Sequence, residues 1–244
     1  MSLPSTSYLL QSILVTGASR GIGLEFVKQL LQKTSCHTVC ATCRNPSKAA
    51  ELNELKQQFA DRLMIETLDI TADDSITRFV SLMSNKGIKF TLLFNNAGIM
   101  NWSDSMNETT RQEMLKTFET NTIGPVLVSQ KIYNHQLLEK GALIANLSSI
   151  LGSIELVQPY QANFTSYVVS KAALNMVSRL QSTAWKDVYT ISFHPGWLQT
   201  EMGGSGADLP VAVGVSGMIK VIEQFDPETQ NGQFIQYDGK QLAW

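Results

Sequence analysis

Seven short apolar runs, near residues 11–16, 37–43, 63–68, 91–94, 141–147, 188–194 and 233–236, alternate with six stretches of helical periodicity. The helical stretches fit 21–33, 47–60, 73–85, 109–134, 164–185 and about 208–224. Strand and helix taken strictly in turn produce parallel pairing through right-handed crossovers, so helices cover both faces of one sheet. The expectation is an α/β fold: a single domain over residues 1–244, built as a Rossmann-type doubly wound parallel sheet of about seven strands. No internal repeat, low-complexity tract or Pro/Ser-rich linker divides the chain. Ligands of such sheets bind beyond the carboxyl ends of the strands, and the residues there are the ones to read for chemistry.

A hydrophobic content of 43% and a charged content of 16% suit a globular protein with a sizeable core. The net charge of -2 gives no electrostatic case for nucleic acid or an anionic membrane. No run approaches the ~18 apolar residues of a membrane span. The first residues, Met1 to Ser7, lack the basic start of a secretion signal, so a cytoplasmic location is expected. Cys36, Cys40 and Cys43 all fall in one strand and its approach, where they cannot pair neatly, and reduced thiols are expected. With only His37 nearby as a fourth ligand, no metal site is assigned.

The first strand, Ile13-Leu14-Val15, runs into Thr16-Gly17-Ala18-Ser19-Arg20-Gly21-Ile22-Gly23 and then an amphipathic stretch from Leu24 to Leu31. Glycines let a backbone approach a pyrophosphate closely, and free N–H groups at the start of a helix, with its dipole, favour negative charge. The spacing is Gly-x-x-x-Gly-x-Gly, not the Gly-x-Gly-x-x-Gly of the commoner dinucleotide fingerprint. A plain strand-to-helix turn also carries glycines.

Tyr167 and Lys171, four apart in Ser-Tyr-Val-Val-Ser-Lys, leave one face of a helix about a turn apart. A phenol, with a pKa near ~10, is a poor proton donor at neutral pH. An ammonium beside it favours the phenolate and is expected to bring the pKa toward the working range. Pro125 has no N–H, so the carbonyl of Asn121 loses its helical partner and needs water or a side chain instead; a plain proline kink is the alternative.

In order along the chain stand the glycine turn at 17–23, Asp69-Ile70, Asn95-Asn96-Ala97-Gly98, Asn121, Ser148-Ser149, Tyr167-x-x-x-Lys171 and Pro195-Gly196-Trp197-Leu198-Gln199-Thr200. With these marks in register over nearly its whole length, the chain resembles the short-chain dehydrogenase/reductase family. Ala41-Thr42-Cys43-Arg44-Asn45, His194-Pro195-Gly196-Trp197 with Glu201-Met202-Gly203-Gly204, and the ending Tyr237 to Trp244 are most similar to its sniffer-like and C-factor-like carbonyl reductases.

The resemblance implies an NADP-dependent carbonyl reductase. Hydride transfer leaves negative charge on the carbonyl oxygen, which needs a hydrogen-bond donor and a proton. Tyr167 is implied as the general acid, Lys171 as its partner and a ligand of the nicotinamide ribose, and Ser149 as a second donor, with Ser148 the alternative. A water at the Asn121 carbonyl is implied to resupply the proton. Seventeen residues lie between Ser149 and Tyr167, more than is common in the family, and Glu155 to Asn163 are read as a loop over the substrate.

The cofactor is expected in the glycine turn, on Gly17, Ser19, Arg20, Gly21, Ile22 and Gly23. The second strand ends in Thr42-Cys43-Arg44 with no acid before Glu51, so no carboxylate awaits a ribose hydroxyl. Arg44 and Arg20 instead bracket a 2'-phosphate, or are solvated surface arginines. That favours NADP(H). Asp69 with Ile70 is implied to meet the adenine, or else Asp69 caps the following helix. Small side chains at Ala97 and Gly98, after Asn96, let a ribose lie on the backbone, while a simple Asn-Gly turn is the plainer reading. Pro195, Gly196, Leu198 and Thr200 are implied to hold the nicotinamide amide.

The residues expected around the carbonyl, Met100, Trp102, Ile150, Leu151, Phe164, Trp197 and Met202, are apolar, with no arginine or lysine among them. Apolar aldehydes, ketones and quinones are the expected substrates. The stretch from Gln199 to Ala207, with three glycines, reads as a lid. Surplus apolar positions on the long helices, Val126, Leu127, Leu174, Met176, Val177 and Leu180, suggest a homodimer or homotetramer. Two other readings fit the sequence less well. A non-catalytic NADP-binding sensor would have lost catalytic side chains, and all four are present. A sugar-nucleotide epimerase needs a substrate domain, and only 44 residues follow Thr200.

Overall fold

The elements run β1 (Ser12–Val15), α1 (Gly21–Lys33), β2 (Thr38–Cys43), α2 (Ala50–Gln58), β3 (Leu63–Thr67), α3 (Asp73–Asn85), β4 (Phe90–Asn95), α4 (Arg111–Phe118), α5 (Gly124–Asn134) and β5 (Leu138–Leu147). After these come α6 (Thr165–Ala184), β6 (Val188–His194), β7 (Leu198–Gln199), β8 (Leu209–Pro210), α7 (Val211–Glu223), α8 (Pro227–Gln230) and β9 (Phe234–Gln236). This computed structural model describes residues 6–244; residues 1–5, part of the stretch read for a secretion signal, lie outside the described residues. Among the described residues no helix is long and apolar enough to cross a membrane.

Seven strands form one parallel sheet in the order β3-β2-β1-β4-β5-β6-β9, as the alternation of elements requires. The order reverses between β1 and β4, so the glycine turn after β1 and the Asn-Asn-Ala-Gly segment after β4 border the same crevice. β7 and β8, two residues each, pair apart from the sheet.

Each sheet face is sealed by helices that follow its strands. Phe26 and Leu30 of α1 and Val215, Met218 and Ile222 of α7 pack on one face. Ile76, Phe79 and Met83 of α3 with Val128 and Ile132 of α5 pack on the other. Phe26 stacks on Phe94 of β4, with centroids 4.2 Å apart. Both rings are fully buried, each contributing about 1.5–3 kcal/mol by burial alone.

A third packing zone, under α6, is polar. Asn95 of β4 lies beside Asn146 of β5, and Asn146 beside Ser192 of β6. Asn95 donates to Asn146 Oδ1 at 2.8 Å and to Ser129 Oγ at 2.9 Å. Asn146 donates to Ser178 Oγ at 2.9 Å and Gln181 Oε1 at 3.0 Å, and Ser192 donates to Ser178 at 2.8 Å.

The stretch read as one helix over 109–134 is divided. α4 ends at Phe118, a π-turn occupies Glu119–Ile123, and α5 starts at Gly124. The Gly124 N–H reaches back five residues to Glu119 O. Pro125, with no N–H and a ring that crowds the preceding turn, cannot complete an α-helical ladder there, and the wider turn absorbs the misfit. Gly124 is needed for contact: a Cβ there would stand 2.9 Å from Ile70 O.

Candidate active site

The crevice is built from the glycine turn outward. Arg20 precedes α1 in extended conformation and makes no side-chain cap, so the first N–H groups of that helix are not claimed by its own side chain. Gly21 has φ +58°, and a Cβ there would meet nothing nearer than Thr200 Cγ2 at 3.7 Å. The turn is therefore open toward the loop after β7. Gly17 and Gly23 serve packing instead. Gly17 has φ +65° and would put a Cβ 2.7 Å from Ala97 Cα, while a Cβ on Gly23 would lie 2.5 Å from Asn96 Nδ2. A helix N-terminus with open glycine geometry at the switch point suits the diphosphate of a dinucleotide.

Asn96 donates through Nδ2 to Thr16 O at 2.8 Å and Gly17 O at 3.0 Å. Thr16 Oγ1 accepts from the Asn96 and Ala97 N–H groups at 3.0 and 3.2 Å. The side chain of Asn96 thus holds the glycine turn in place. Asp69 Oδ1 accepts from Thr71 N at 3.0 Å and Thr71 Oγ1 at 2.8 Å, a local turn ahead of α3. Its partner Ile70 is buried against Gly124. Arg44 is exposed at the end of β2. Arg20 reaches across the crevice to Glu201 at 3.3 Å, with both side chains largely solvated. Ser19 and Ile22 are half-buried in the turn.

β5 and α6 bring the chemistry together. Ser149, just beyond β5, hydrogen-bonds Tyr167 and accepts from Leu151 N at 3.2 Å. Ser148 points elsewhere, donating to the backbone of Lys171 at 3.3 Å. Of the two serines, only Ser149 is directed at the phenol. Lys171 is buried, with Nζ donating to Leu147 O at 2.7 Å and lying 5.6 Å from the centroid of the Tyr167 ring. Gly152 brings the turn after Ser149 onto α6, where a Cβ would lie 2.6 Å from the Lys171 carbonyl carbon.

The expected lowering of the Tyr167 pKa is corrected. Burial pushes it up to about 12, and the hydrogen bond with Ser149 works against that without reversing it. Lys171 is directed at the Leu147 carbonyl and offers the phenol no direct contact through hydrogen bonding. Burial also lowers Lys171 to about 8. At neutral pH Tyr167 is therefore a fully protonated phenol, the form able to give up a proton.

Asn121 is fully buried, and its side chain has a purpose that the proline argument did not reveal. Oδ1 accepts from Ile99 N at 2.8 Å, and Nδ2 donates to Ile99 O at 2.9 Å and Ser170 Oγ at 3.0 Å. It pins the segment after Gly98 to α6, one residue before Lys171.

Of the apolar set, Trp102, Phe164 and Met202 are brought together. Trp102 sits edge-on to Phe164 at 5.3 Å and donates to Met202 O at 3.1 Å. Ile150 and Leu151 follow Ser149 in a 3-10 turn, half-buried, and Met100 is half-buried two residues before Trp102. The loop from Gln199 to Ala207 is folded on itself: Trp197 donates to Gly203 O at 2.9 Å, Gln199 to Ala207 O at 3.1 Å, and Gly203 N to Thr200 Oγ1 at 3.0 Å. Pro195 and Leu198 are buried beneath it, while Gly196, at φ +89°, turns against Tyr237.

The sequence pattern of short chain dehydrogenases matches residues 11–208. The chain belongs to the short-chain dehydrogenase family. Among solved members, an NADPH-bound carbonyl reductase from chicken fatty liver is 37% identical and superposes with a TM-score of 0.89, covering 96% of this chain and 99% of its own. The carbonyl reductase Sniffer of D. melanogaster is 33% identical with a TM-score of 0.88, over 96% of this chain and all of its own. C-signal of Myxococcus xanthus is 36% identical over 157 residues, 63% of this chain and 92% of that protein. As a short-chain dehydrogenase the protein is an oxidoreductase.

One further residue beside this candidate site is not marked by the sequence. Asp104, just 2% exposed, accepts from Ser166 N at 2.6 Å, immediately before Tyr167. The only signal available was an acid among polar loop residues, which is a commonplace.

Proposed function

We propose that this protein is a cytoplasmic NADPH-dependent carbonyl reductase acting on apolar aldehydes, ketones and quinones. The observation that carries the reading is the convergence of Ser149 on a protonated Tyr167 next to buried Lys171, at the strand ends that border the open glycine turn. The NADPH and NADP named with its solved relatives support the cofactor, as do two arginines and no acid at the turn and the end of β2.

Gly17, Ser19, Arg20, Gly21, Ile22 and Gly23 would hold the diphosphate end, with Arg44 and Arg20 on the 2'-phosphate and Asp69 and Ile70 at the adenine. Asn96, Ala97 and Gly98, with Tyr167 and Lys171, would line the nicotinamide ribose, and Pro195, Gly196, Leu198 and Thr200 the nicotinamide. The bound cofactor supplies the hydride. Tyr167 donates its proton to the carbonyl oxygen, and Ser149 orients that oxygen with a second hydrogen bond. Lys171 stabilises the phenolate left behind and, with Asn121 of the π-turn beside it across Gly98, is where the proton returns. Met100, Trp102, Ile150, Leu151, Phe164, Trp197 and Met202 would exclude water and offer apolar area.

A homodimer or homotetramer is part of the proposal. Leu115, Ile123, Met176 and Leu180 are exposed on α4, the π-turn and α6, although Leu174 turns inward. Leu115, Ile123 and Leu127 also line a groove of about 790 Å³ with Ile70 and Asp73. Buried thiols at Cys36, Cys40 and Cys43 suit a reducing compartment.

The test is consumption of NADPH against a matched panel of quinones, aromatic aldehydes, diketones, sugars and keto acids. Apolar carbonyls are expected to have the higher kcat/KM. A charged keto acid that proves best by tenfold or more overturns the substrate reading, and no turnover of any carbonyl overturns the enzyme reading.

A further inference from the structure

Helix α6 carries both Tyr167 and Lys171, yet its own flank supplies no cap. Phe164 stands at the N-cap position with no side-chain acceptor, so the first N–H groups need partners from elsewhere. They find them on one residue far away in the chain. Thr165 N donates to Asp104 O at 2.8 Å, and Ser166 N to Asp104 Oδ2 at 2.6 Å. Asp104 and Phe164 also form a short parallel bridge, and Met106 N donates to Ala162 O at 2.7 Å. Burial works against the Asp104 charge, but hydrogen bonding with Ser166 and Thr109 together outweighs it and holds the carboxyl below its ordinary value.

Asp104 stands two residues after Trp102, whose ring edges onto Phe164 and whose N–H reaches Met202 O. The segment read as the substrate wall thus meets the start of the catalytic helix chiefly through Asp104, whose backbone carbonyl and buried carboxylate each take one N–H of its first turn. We propose that Asp104 is a positioning residue, which locks the Met100–Trp102 wall against the first turn of α6 and so sets the fit of the carbonyl substrate. The proposal rests on the carbonyl reductase reading for its kinetic consequence, and on geometry alone for its mechanical one.

Asp104→Ala removes the side-chain acceptor, while Asp104→Asn keeps an oxygen that can accept from Ser166 N. The carbonyl KM of Asp104→Ala should rise about tenfold or more. The Kd for NADPH, read without turnover from cofactor fluorescence, should stay within about twofold. Asp104→Asn should recover most of the carbonyl KM. A cap that merely stabilises the fold would lower the Tm and leave KM alone, and that result overturns the proposal. Equal losses of carbonyl KM and NADPH affinity overturn it too.

Hydrogen exchange on the unaltered protein gives a second reading that needs neither folding of a variant nor turnover. The amides of Met106, Thr165 and Ser166, which carry the bonds between the two segments, should exchange with one common protection. A loop that opens at Met106 while the amides of Thr165 and Ser166 remain protected sinks the proposal. If no carbonyl is turned over by the wild-type enzyme, the functional reading fails and this exchange result still decides the role of Asp104.

Discussion

Replacing Lys171 with Met should make the protein more stable and far less active. The ammonium is 4% exposed, and burial brings its pKa from the ordinary 10.5 to about 8. A fall from 10.5 to about 8 means that the folded state disfavours the proton by roughly 3 kcal/mol. Met fills similar volume with no charge and loses the bond from the Nζ ammonium to Leu147 O, which, with a charged donor, costs about 1.5–3 kcal/mol. The net gain at neutral pH is about 1 kcal/mol, or roughly 2–4 °C in Tm for a domain of this size.

The pH dependence follows from the same linkage. A depressed lysine binds fewer protons folded than unfolded between pH 8 and 10.5, so wild-type stability rises with pH across that window. The penalty is fully present below pH 8 and gone above 10.5. Lys171→Met should therefore lead the wild type below pH 8 and lose its lead as pH passes 10.5. Urea titrations at pH 7 and pH 10.5, with NADPH turnover measured beside them, test both halves, and kcat should fall by ~10² or more. A variant less stable than wild type at pH 7 would refute the reasoning, because the buried charge would then be a net contributor to the fold.

Tyr167→Phe should lower kcat by ~10² or more with little change in NADPH affinity, and near wild-type turnover in steady-state assays would remove Tyr167 from the acid role. Arg44→Asp should raise the KM for NADPH and lower that for NADH, while an unchanged preference ratio would assign the 2'-phosphate to Arg20 or another group. Gly23→Ala places a Cβ 2.5 Å from Asn96 Nδ2 and 2.7 Å from Gly17 O, so thermal melting should show a loss of about 1–3 kcal/mol or more. Light scattering at micromolar concentration should show a dimer or tetramer, and a lone 27.0 kDa species would count against self-association.

The strand ends were legible because backbone chemistry announces itself. Gly17, Gly21 and Gly23 stand where a positive φ or a close contact allows nothing larger, and the bounds of α1 and α3 follow directly from their apolar spacing. The break at 119–123 was half legible, since Pro125 marks a lost hydrogen bond without saying whether a kink or a wider turn relieves it. Long-range side-chain bonds were not legible at all. Asn121 to Ile99, Asn96 to Gly17 and Asp104 to Ser166 each join segments whose meeting depends on the finished sheet. The Tyr167 pKa was misjudged for a related reason. Spacing on a helix fixes which face two groups share, while the direction of Lys171 is decided by a carbonyl on β5.

The polar rungs under α6 bear on how this sheet comes to have one alignment. β4 reads Thr-Leu-Leu-Phe and β5 Ala-Leu-Ile-Ala before their asparagines, nearly uniform apolar runs that lack the alternation by which half-buried strands choose their register. Such strands slide against each other at small cost in apolar contact. A slip by one residue parts Asn95 from Asn146 and Asn146 from Ser192, and each buried polar group left unpaired costs about 1–3 kcal/mol. Valines in these places would leave a core just as well filled and a chain with several ways to assemble it, each presenting Ser149 and the glycine turn at a different offset.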